Sequence, residues 1–238
     1  MLKLKTENIT KSFDDRIIIE DINIQLKKGE IVSLIGVCGS GKTTLFNILS
    51  GLTKPDKGRV YLDGEDITTK PGKISYMLQK DLLLPHEKII DNAALGLVVK
   101  GMKKKEARKE AEKYFEAFGL TGTKDKYPSQ LSGGMRQRVA LLRTYLATDG
   151  VALLDEPFSA LDSITKSGMH NWYLDLMSKI EMSTIFITHD IEEAILLSDR
   201  IYILAGTPGT IVKEIVIDKA AKEEHFLEYK ERIKKMLI

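Results

Sequence analysis

An apolar run, Glu30-Ile31-Val32-Ser33-Leu34-Ile35, leads directly into Gly36-Val37-Cys38-Gly39-Ser40-Gly41-Lys42-Thr43, and Thr44-Leu45-Phe46-Asn47-Ile48-Leu49-Ser50-Gly51 follows at once. The first segment predicts a buried strand and the last a helix ended by a glycine. Between them, glycines at 36, 39 and 41 let the backbone turn so that successive N–H groups face an anion, with the positive end of the new helix behind them. Lys42 is expected to reach the β- and γ-phosphates of a nucleotide, and Thr43 to ligate magnesium. Gly36, Gly39, Ser40, Gly41, Lys42, Thr43 and Thr44 are therefore candidate nucleotide contacts. The flanking strand and helix argue against a plain glycine-rich turn.

The surrounding pattern extends this unit into an α/β fold. Residues 1–35 show strand-like alternation, as at Ile22, Ile24 and Leu26, broken by turns at Asp14-Asp15 and Lys28-Gly29. Residues 58–67 predict a strand with an Asp63-Gly64 turn, and residues 74–79 another. From about 86 to 145 the period becomes helical, with Ala107, Ala111, Phe115 and Phe118 on one stripe. Lys103-Lys104-Lys105, at the start of that helix, reads as a solvated face rather than a lipid or nucleic-acid site. Strand signals return at 151–154, 184–188 and 201–204 and alternate with helical segments around 163–180 and 191–197. A mostly parallel sheet flanked by helices, with a helical lobe inserted, is the expected architecture. Residues 219–238 predict a terminal amphipathic helix that docks on the core through Phe226, Ile233 and Leu237.

Val151-Ala152-Leu153-Leu154-Asp155-Glu156 puts two carboxylates at the end of a buried strand, where open α/β sheets bind ligands. Asp155 suits a magnesium shell, and Glu156 can accept a proton from an attacking water or orient it. A polar loop after a strand is the alternative, and the upstream phosphate loop argues against it.

Downstream lies Leu131-Ser132-Gly133-Gly134-Met135-Arg136-Gln137-Arg138, which resembles the signature of ATP-binding cassette (ABC) proteins. The resemblance covers nearly the whole chain and implies a P-loop NTPase with a RecA-like core, an antiparallel β subdomain and an inserted helical subdomain. The expected division is 1–85 and 146–238 for the core and β subdomain, and about 86–145 for the helical subdomain. Two copies are expected to close around ATP, with Ser132, Gly133 and Gly134 of one meeting the nucleotide held by the other. The same resemblance implies that Phe13 stacks on adenine, with core packing as its alternative. It also implies that Gln79 reports on magnesium and water, that Ser159-Ala160-Leu161-Asp162 crosses the dimer interface, and that His189 contacts the γ-phosphate. Asp162 joins the candidate nucleotide contacts, and Gln79 joins Thr43 and Asp155 as a candidate magnesium ligand.

Composition bounds the remaining choices. The chain has 238 residues, 43% of them hydrophobic, enough for one large domain or two intimate lobes. Its 36 basic and 34 acidic side chains leave a net charge of +2, so nothing in the balance calls for nucleic acid. Purely apolar runs fall far short of the roughly 18 residues of a membrane span, and the amino terminus has no signal-peptide pattern. A transport role would need a separate channel chain. The single cysteine, Cys38, excludes an internal disulfide and fits a reducing compartment; it reads as a small side chain among glycines, with redox control as the alternative. The four histidines and one cysteine form no metal-ligand spacing, so magnesium is expected to arrive with ATP. His86, His170 and His225 match no motif and are assigned to surface or packing.

Gly133 to Ala140, Asp155 to Asp162 and Ala205-Gly206-Thr207-Pro208-Gly209 resemble the importer ATPases for nitrate, sulfonate, taurine and pyrimidine precursors. Leu84-Pro85-His86 departs from that subgroup, in which tryptophan commonly follows the proline. The resemblance implies an ATPase peripheral to the cytoplasmic face of a bacterial cell membrane, with permease subunits and an extracytoplasmic solute-binding protein as partners. Residues 79–87 are expected to meet the permease, with Leu83 and His86 at the contact. An exporter or lipid-releasing ATPase would share the catalytic motifs. A cassette acting on DNA or ribosomes is the non-transport alternative; the expected long coiled coil or second cassette is absent from the sequence.

Overall fold

The computed structural model describes residues 1–159, 161–222 and 224–237. The chain opens with β1 (Leu2–Phe13), β2 (Arg16–Ile22) and β3 (Gln25–Lys27), then β4 (Ile31–Gly36) and α1 (Lys42–Leu49), followed by β5 (Lys57–Leu62), β6 (Glu65–Asp66) and β7 (Ser75–Met77). Three helices come next, α2 (Ile89–Val99), α3 (Lys104–Glu112) and α4 (Gly133–Ala147). The chain then alternates β8 (Val151–Asp155), α5 (Ser163–Lys179), β9 (Ser183–Thr188), α6 (Ile191–Leu197) and β10 (Arg200–Ala205), and ends with β11 (Thr210–Val216) and α7 (Phe226–Leu237).

Two sheets result. The antiparallel one runs β2-β1-β5-β6, with β3 also on β1; Leu4, Ile9, Ile22, Ile24 and Leu26 all point into its core. The other runs β11-β10-β4-β9-β8-β7 and is parallel except at the β10–β11 edge. All six residues of β4 are buried, as a strand covered on both faces requires. Because β4, β9, β8 and β7 are neighbours, the segments leaving their carboxyl ends emerge side by side: the phosphate loop, His189, Asp155-Glu156 and Gln79. Strand order alone therefore gathers residues separated by more than a hundred positions in sequence. At the opposite end of the sheet the buried Arg200 guanidinium braces β10, bonding Glu30 through Nε at 3.0 Å and Nη2 at 2.5 and 2.7 Å, and Glu214 at 3.0 Å.

The helices between β7 and β8 share a core that includes Ile89, Ala93, Phe118, Leu120, Val139 and Leu142. The predicted stripe Ala107, Ala111, Phe115 and Phe118 is buried throughout, but α3 stops at Glu112. Beyond it the bonds tighten to i→i+3 at Lys113, Tyr114 and Phe115, and Gly119 turns away at φ +64°. Lys103, Lys104 and Lys105 are exposed as expected, with Lys104 3.3 Å from both Glu87 and Asp91. Arg108 grips the same Asp91 with two 2.8 Å bonds, joining α3 to α2. The antiparallel edge strand β11 has no counterpart in the sequence reading. The terminal helix begins at Phe226, later than expected, and buries Ile233 completely while Phe226 and Leu237 pack partly against the same cluster.

Candidate active site

The phosphate loop is held by close backbone packing. A Cβ at Gly36 would lie 2.4 Å from the Leu204 carbonyl oxygen, and one at Gly41, whose φ is +97°, would lie 2.3 Å from Ile19 Cγ2. Neither position has room for a side chain. Lys42 opens α1, earlier than the predicted start at Thr44, and its Nζ donates to Gly36 O at 2.7 Å and Val37 O at 2.9 Å. Burial lowers the Lys42 pKa, and the nearby Glu156, Cys38 and Asp155 only partly oppose it. Gly36, Gly39, Gly41, Lys42, Thr43 and Thr44 share a cleft of about 480 Å³ with Gln79, Asp155, Glu156 and His189. Ser40 is the exception: its side chain is buried, its Oγ has no hydrogen-bond partner, and its N–H donates to Val37 O at 3.2 Å.

Asp155 ends β8 and accepts a 3.2 Å bond from the Tyr76 hydroxyl, brought there by the parallel β7–β8 register. Burial raises the Asp155 pKa; the Tyr76 bond lowers it, Glu156 raises it and Lys42 lowers it, with a net upward result. The Tyr76 phenol moves up as well, through burial and the facing carboxylate. Glu156 turns left-handed at φ +46°, and its N–H is anchored on Ile187 O at 3.0 Å. That conformation is costly for a residue with a Cβ. It leaves the carboxylate accepting a 3.0 Å bond from Gln79 Nε2 and lying 3.1 Å from His189 Nδ1. Gln79, Glu156 and His189 thus converge in the cleft that Lys42 and Thr43 also line. Such an arrangement can hold a polyphosphate and place a carboxylate and an imidazole near its end.

Ser132, Gly133 and Gly134 lie outside this cleft. Ser132 caps α4, its Oγ accepting from the Met135 N–H at 3.3 Å. A side chain at Gly134 would touch Thr165 Cγ2 at 3.4 Å, so the start of α4 packs beside the start of α5. Asp162 caps α5 by accepting from the Thr165 N–H at 3.1 Å. Ala160, within the expected interface segment, lies outside the described residues. Phe13 stands at the β1–β2 hairpin, 49% exposed and outside the cleft lining, which removes its core-packing alternative. Leu83, expected on the permease contact, is instead buried at 8% exposure, while Leu82, Leu84 and His86 are exposed. The turn responsible is left-handed at Leu82 and is fixed by the Asn92 side chain, which accepts from Leu84 N and donates to Leu84 O. His170 is buried and His86 and His225 are exposed, as assigned.

Sequence reasoning did not single out Ile18, Tyr76 or Ile187, all of which touch the site. The available signal was the polar tip of Tyr76 on a strand that leads into Gln79. Gly209 supports the loop from below: a Cβ there would lie 2.1 Å from the Ser40 carbonyl oxygen. Among the described residues no cluster of His, Cys, Asp and Glu could hold a metal by itself, and no helix is long and apolar enough to cross a membrane.

The family model described as ABC transporter matches residues 19–159, spanning the phosphate loop, the signature and both carboxylates. The chain belongs to the ABC transporter family. The cassette is 45% identical over 191 residues to the formylaminopyrimidine import ATP-binding protein ThiZ of Halalkalibacterium halodurans, covering 80% of this chain and 74% of that protein. It is 38% identical over 206 residues to the nitrate import ATP-binding protein NrtD of a Synechocystis species, covering 87% and 77%. Among solved structures, MJ1267, an ATP-binding cassette of an ABC transporter, superposes with a TM-score of 0.85 at 26% identity, covering 100% of this chain and 99% of that one. The cassette MJ0796, a dimer in a post-hydrolysis state with ADP and Pi, superposes with a TM-score of 0.75 at 31% identity, covering 90% and 99%. The fold is that of an ABC ATPase, and the cassette binds nucleotide and hydrolyses ATP to drive transport.

Proposed function

We propose that this cassette is the ATP-hydrolysing subunit of an importer and that it acts as a pair. The observation that carries the reading is the split between a cleft holding Lys42, Gln79, Glu156 and His189 and a signature that lies outside it. Each cleft would be closed by Ser132, Gly133 and Gly134 of a second copy, whose α4 amino terminus supplies amide donors and dipole to the γ-phosphate. The dimeric relative with ADP and Pi supports pairing. Within a copy, Gly36, Gly39, Gly41, Lys42, Thr43 and Thr44 would cradle the phosphates, Ser40 would contribute only through its backbone, and Phe13 would reach adenine from the hairpin. Asp162 would face the partner's nucleotide across the interface. The hydroxyl of Thr43, the amide oxygen of Gln79 and the carboxylate of Asp155 are hard donors on one cleft and fit the magnesium that accompanies ATP. Glu156 would orient water or take its proton, and His189 would contact the γ-phosphate. ATP binding then favours the closed pair, and hydrolysis releases it.

We further infer a division into a core with β subdomain, 1–85 and 146–238, and a helical subdomain of about 86–145. The permease would dock where Leu82, Leu84 and His86 are exposed. Arg143 donates to Leu82 O at 2.9 Å and also lines a groove of about 330 Å³ with Leu95 and Val99, which ties this exposed segment to the helical elements. The relatives named for nitrate and formylaminopyrimidine import support a solute of that kind. An extracytoplasmic binding protein would deliver it, and the cassette would sit at the cytoplasmic face of a bacterial membrane. Cysteines at Leu82, Leu84 and His86 should crosslink to a co-expressed permease, and one at exposed Glu181 should not. Crosslinks from Glu181 alone would overturn the docking assignment. In vesicles with the native permease and binding protein, the cognate solute should stimulate ATP hydrolysis.

A further inference from the structure

Behind His189 lies a set of charged groups that the mechanism above leaves unused. Lys166, on α5 and one turn beyond Asp162, places Nζ 2.7 Å from Asp190 Oδ2 and 3.3 Å from Glu193 Oε2. Both carboxylates follow the histidine, and between them they anchor the residues on either side of it. Asp190 follows it directly, sends its N–H to Thr188 Oγ1 at 3.0 Å, and caps α6 by accepting from the N–H groups of Glu192 and Glu193 at 3.0 and 3.2 Å. Glu193, whose side chain is 3% exposed, accepts the Thr188 hydroxyl at 2.7 Å and so fixes the residue before the histidine. The His189 ring is 66% exposed, so it is the anchoring of Thr188 and Asp190 that determines where it meets Glu156.

We propose that Lys166 is a positioning residue for ATP hydrolysis, its ammonium holding Asp190 and Glu193 together so that His189 is set against Glu156. Two carboxylates this close repel unless a cation lies between them, and one of them is almost wholly buried. On the other side of Glu193, His170 Nε2 lies 3.5 Å from Oε1 without forming a hydrogen bond, and Lys230 of α7 is engaged with Glu192. Lys166 therefore faces both carboxylates from the helix that the Ser159–Asp162 segment enters, which ties the placement of His189 to the seating of that segment. Deleting the ammonium would let Asp190 and Glu193 separate, loosening α6 and the Thr188–Asp190 backbone without touching Lys42 or the phosphate loop.

The inference rests on the reading of His189 as a γ-phosphate contact, and a mutant cycle separates the two. In the full chain, Lys166→Met, Lys166→Arg, His189→Ala and the Lys166→Met/His189→Ala double variant are compared by single-turnover phosphate release and by equilibrium binding of a fluorescent ATP analogue. Lys166→Met is expected to slow release about tenfold or more while binding changes by less than about threefold, the pattern of a group that acts on the chemical step. Lys166→Arg should recover most of the rate, because it restores the cation. In the His189→Ala background Lys166→Met should add nothing, since the residue it positions is gone. Unchanged release in Lys166→Met beside a slow His189→Ala refutes the role of Lys166 alone, as do losses that multiply in the double variant. A His189→Ala that releases phosphate at the wild-type rate refutes the site reading and the inference with it. Thermal unfolding is followed for each variant; if Lys166→Met does not fold, Lys166→Gln, which keeps a donor but no charge, is held to the same criteria.

Discussion

Replacing Lys42 by Met deletes an ammonium while keeping an unbranched stem that suits the first residue of α1. In the free chain that ammonium donates to Gly36 O and Val37 O at 2.7 and 2.9 Å. Each bond to a charged group contributes about 1.5–3 kcal/mol, but burial disfavours the same charge, so the net change in folding stability should be on the order of 1 kcal/mol. For a chain of this size that is a fall of about 2–4 °C in melting temperature. Nucleotide has no such compensation. On the proposed reading Lys42 is the cation of the phosphate cradle, and loss of one preorganised donor to a charged oxygen costs about 2.7–4 kcal/mol, or about 100- to 1,000-fold in rate. Phosphate release, equilibrium binding of a fluorescent ATP analogue and thermal denaturation measured together separate these effects. The expected result is near-normal melting with kcat/KM reduced at least about 100-fold. A change in kcat/KM of less than about threefold in a folded variant would refute the assignment of the cleft.

Phe13→Ala should weaken ATP binding while Phe13→Tyr should not, because a stacked ring contributes about 0.5–1.5 kcal/mol, or roughly two- to twelvefold in affinity. Equal losses in both variants would remove Phe13 from the site. Burial pushes the Asp190 carboxyl up, but Lys166 and the amides of Glu193 and Glu192 outweigh it and hold the pKa below its ordinary 3.8. A carboxyl lowered on folding contributes stability that is present above pH 3.8 and lost as pH falls through the folded value. Asp190→Asn should therefore melt lower at pH 7 and lose less stability on acidification below 3.8 than the wild type; parallel melting curves across that range would contradict this.

The phosphate loop and the carboxylates at the end of β8 were legible because each closes a mostly apolar run, and burial on both faces leaves β4 and β8 little freedom to be anything but central strands. The order of α5, β9, α6 and β10 followed from the same alternation. Three features were not legible. The left-handed turn at Glu156 that aims its carboxylate at Gln79 and His189 depends on the Ile187 carbonyl across the sheet. The reversal at Leu82 that buries Leu83 depends on Asn92, several residues away on α2. The edge strand β11 forms against β10, although its outer face is largely exposed and its alternation weak. In each case a tertiary contact selects a conformation that local composition does not favour.

If one copy's cleft is completed by another's signature, Glu156→Gln should trap the pair. The substitution keeps the size of the side chain, and its amide oxygen can still accept the Gln79 bond, but it removes the capacity to take a proton. The chemical step should slow by about 100-fold or more, leaving the γ-phosphate in place. Light scattering on this variant, with its permease present where the free chain stays monomeric, should then show a dimer in magnesium-ATP that is absent in ADP and abolished by adding Ser132→Arg at the start of α4. A Glu156→Gln cassette that binds ATP yet neither pairs nor traps nucleotide, alone or on its permease, would contradict the composite site.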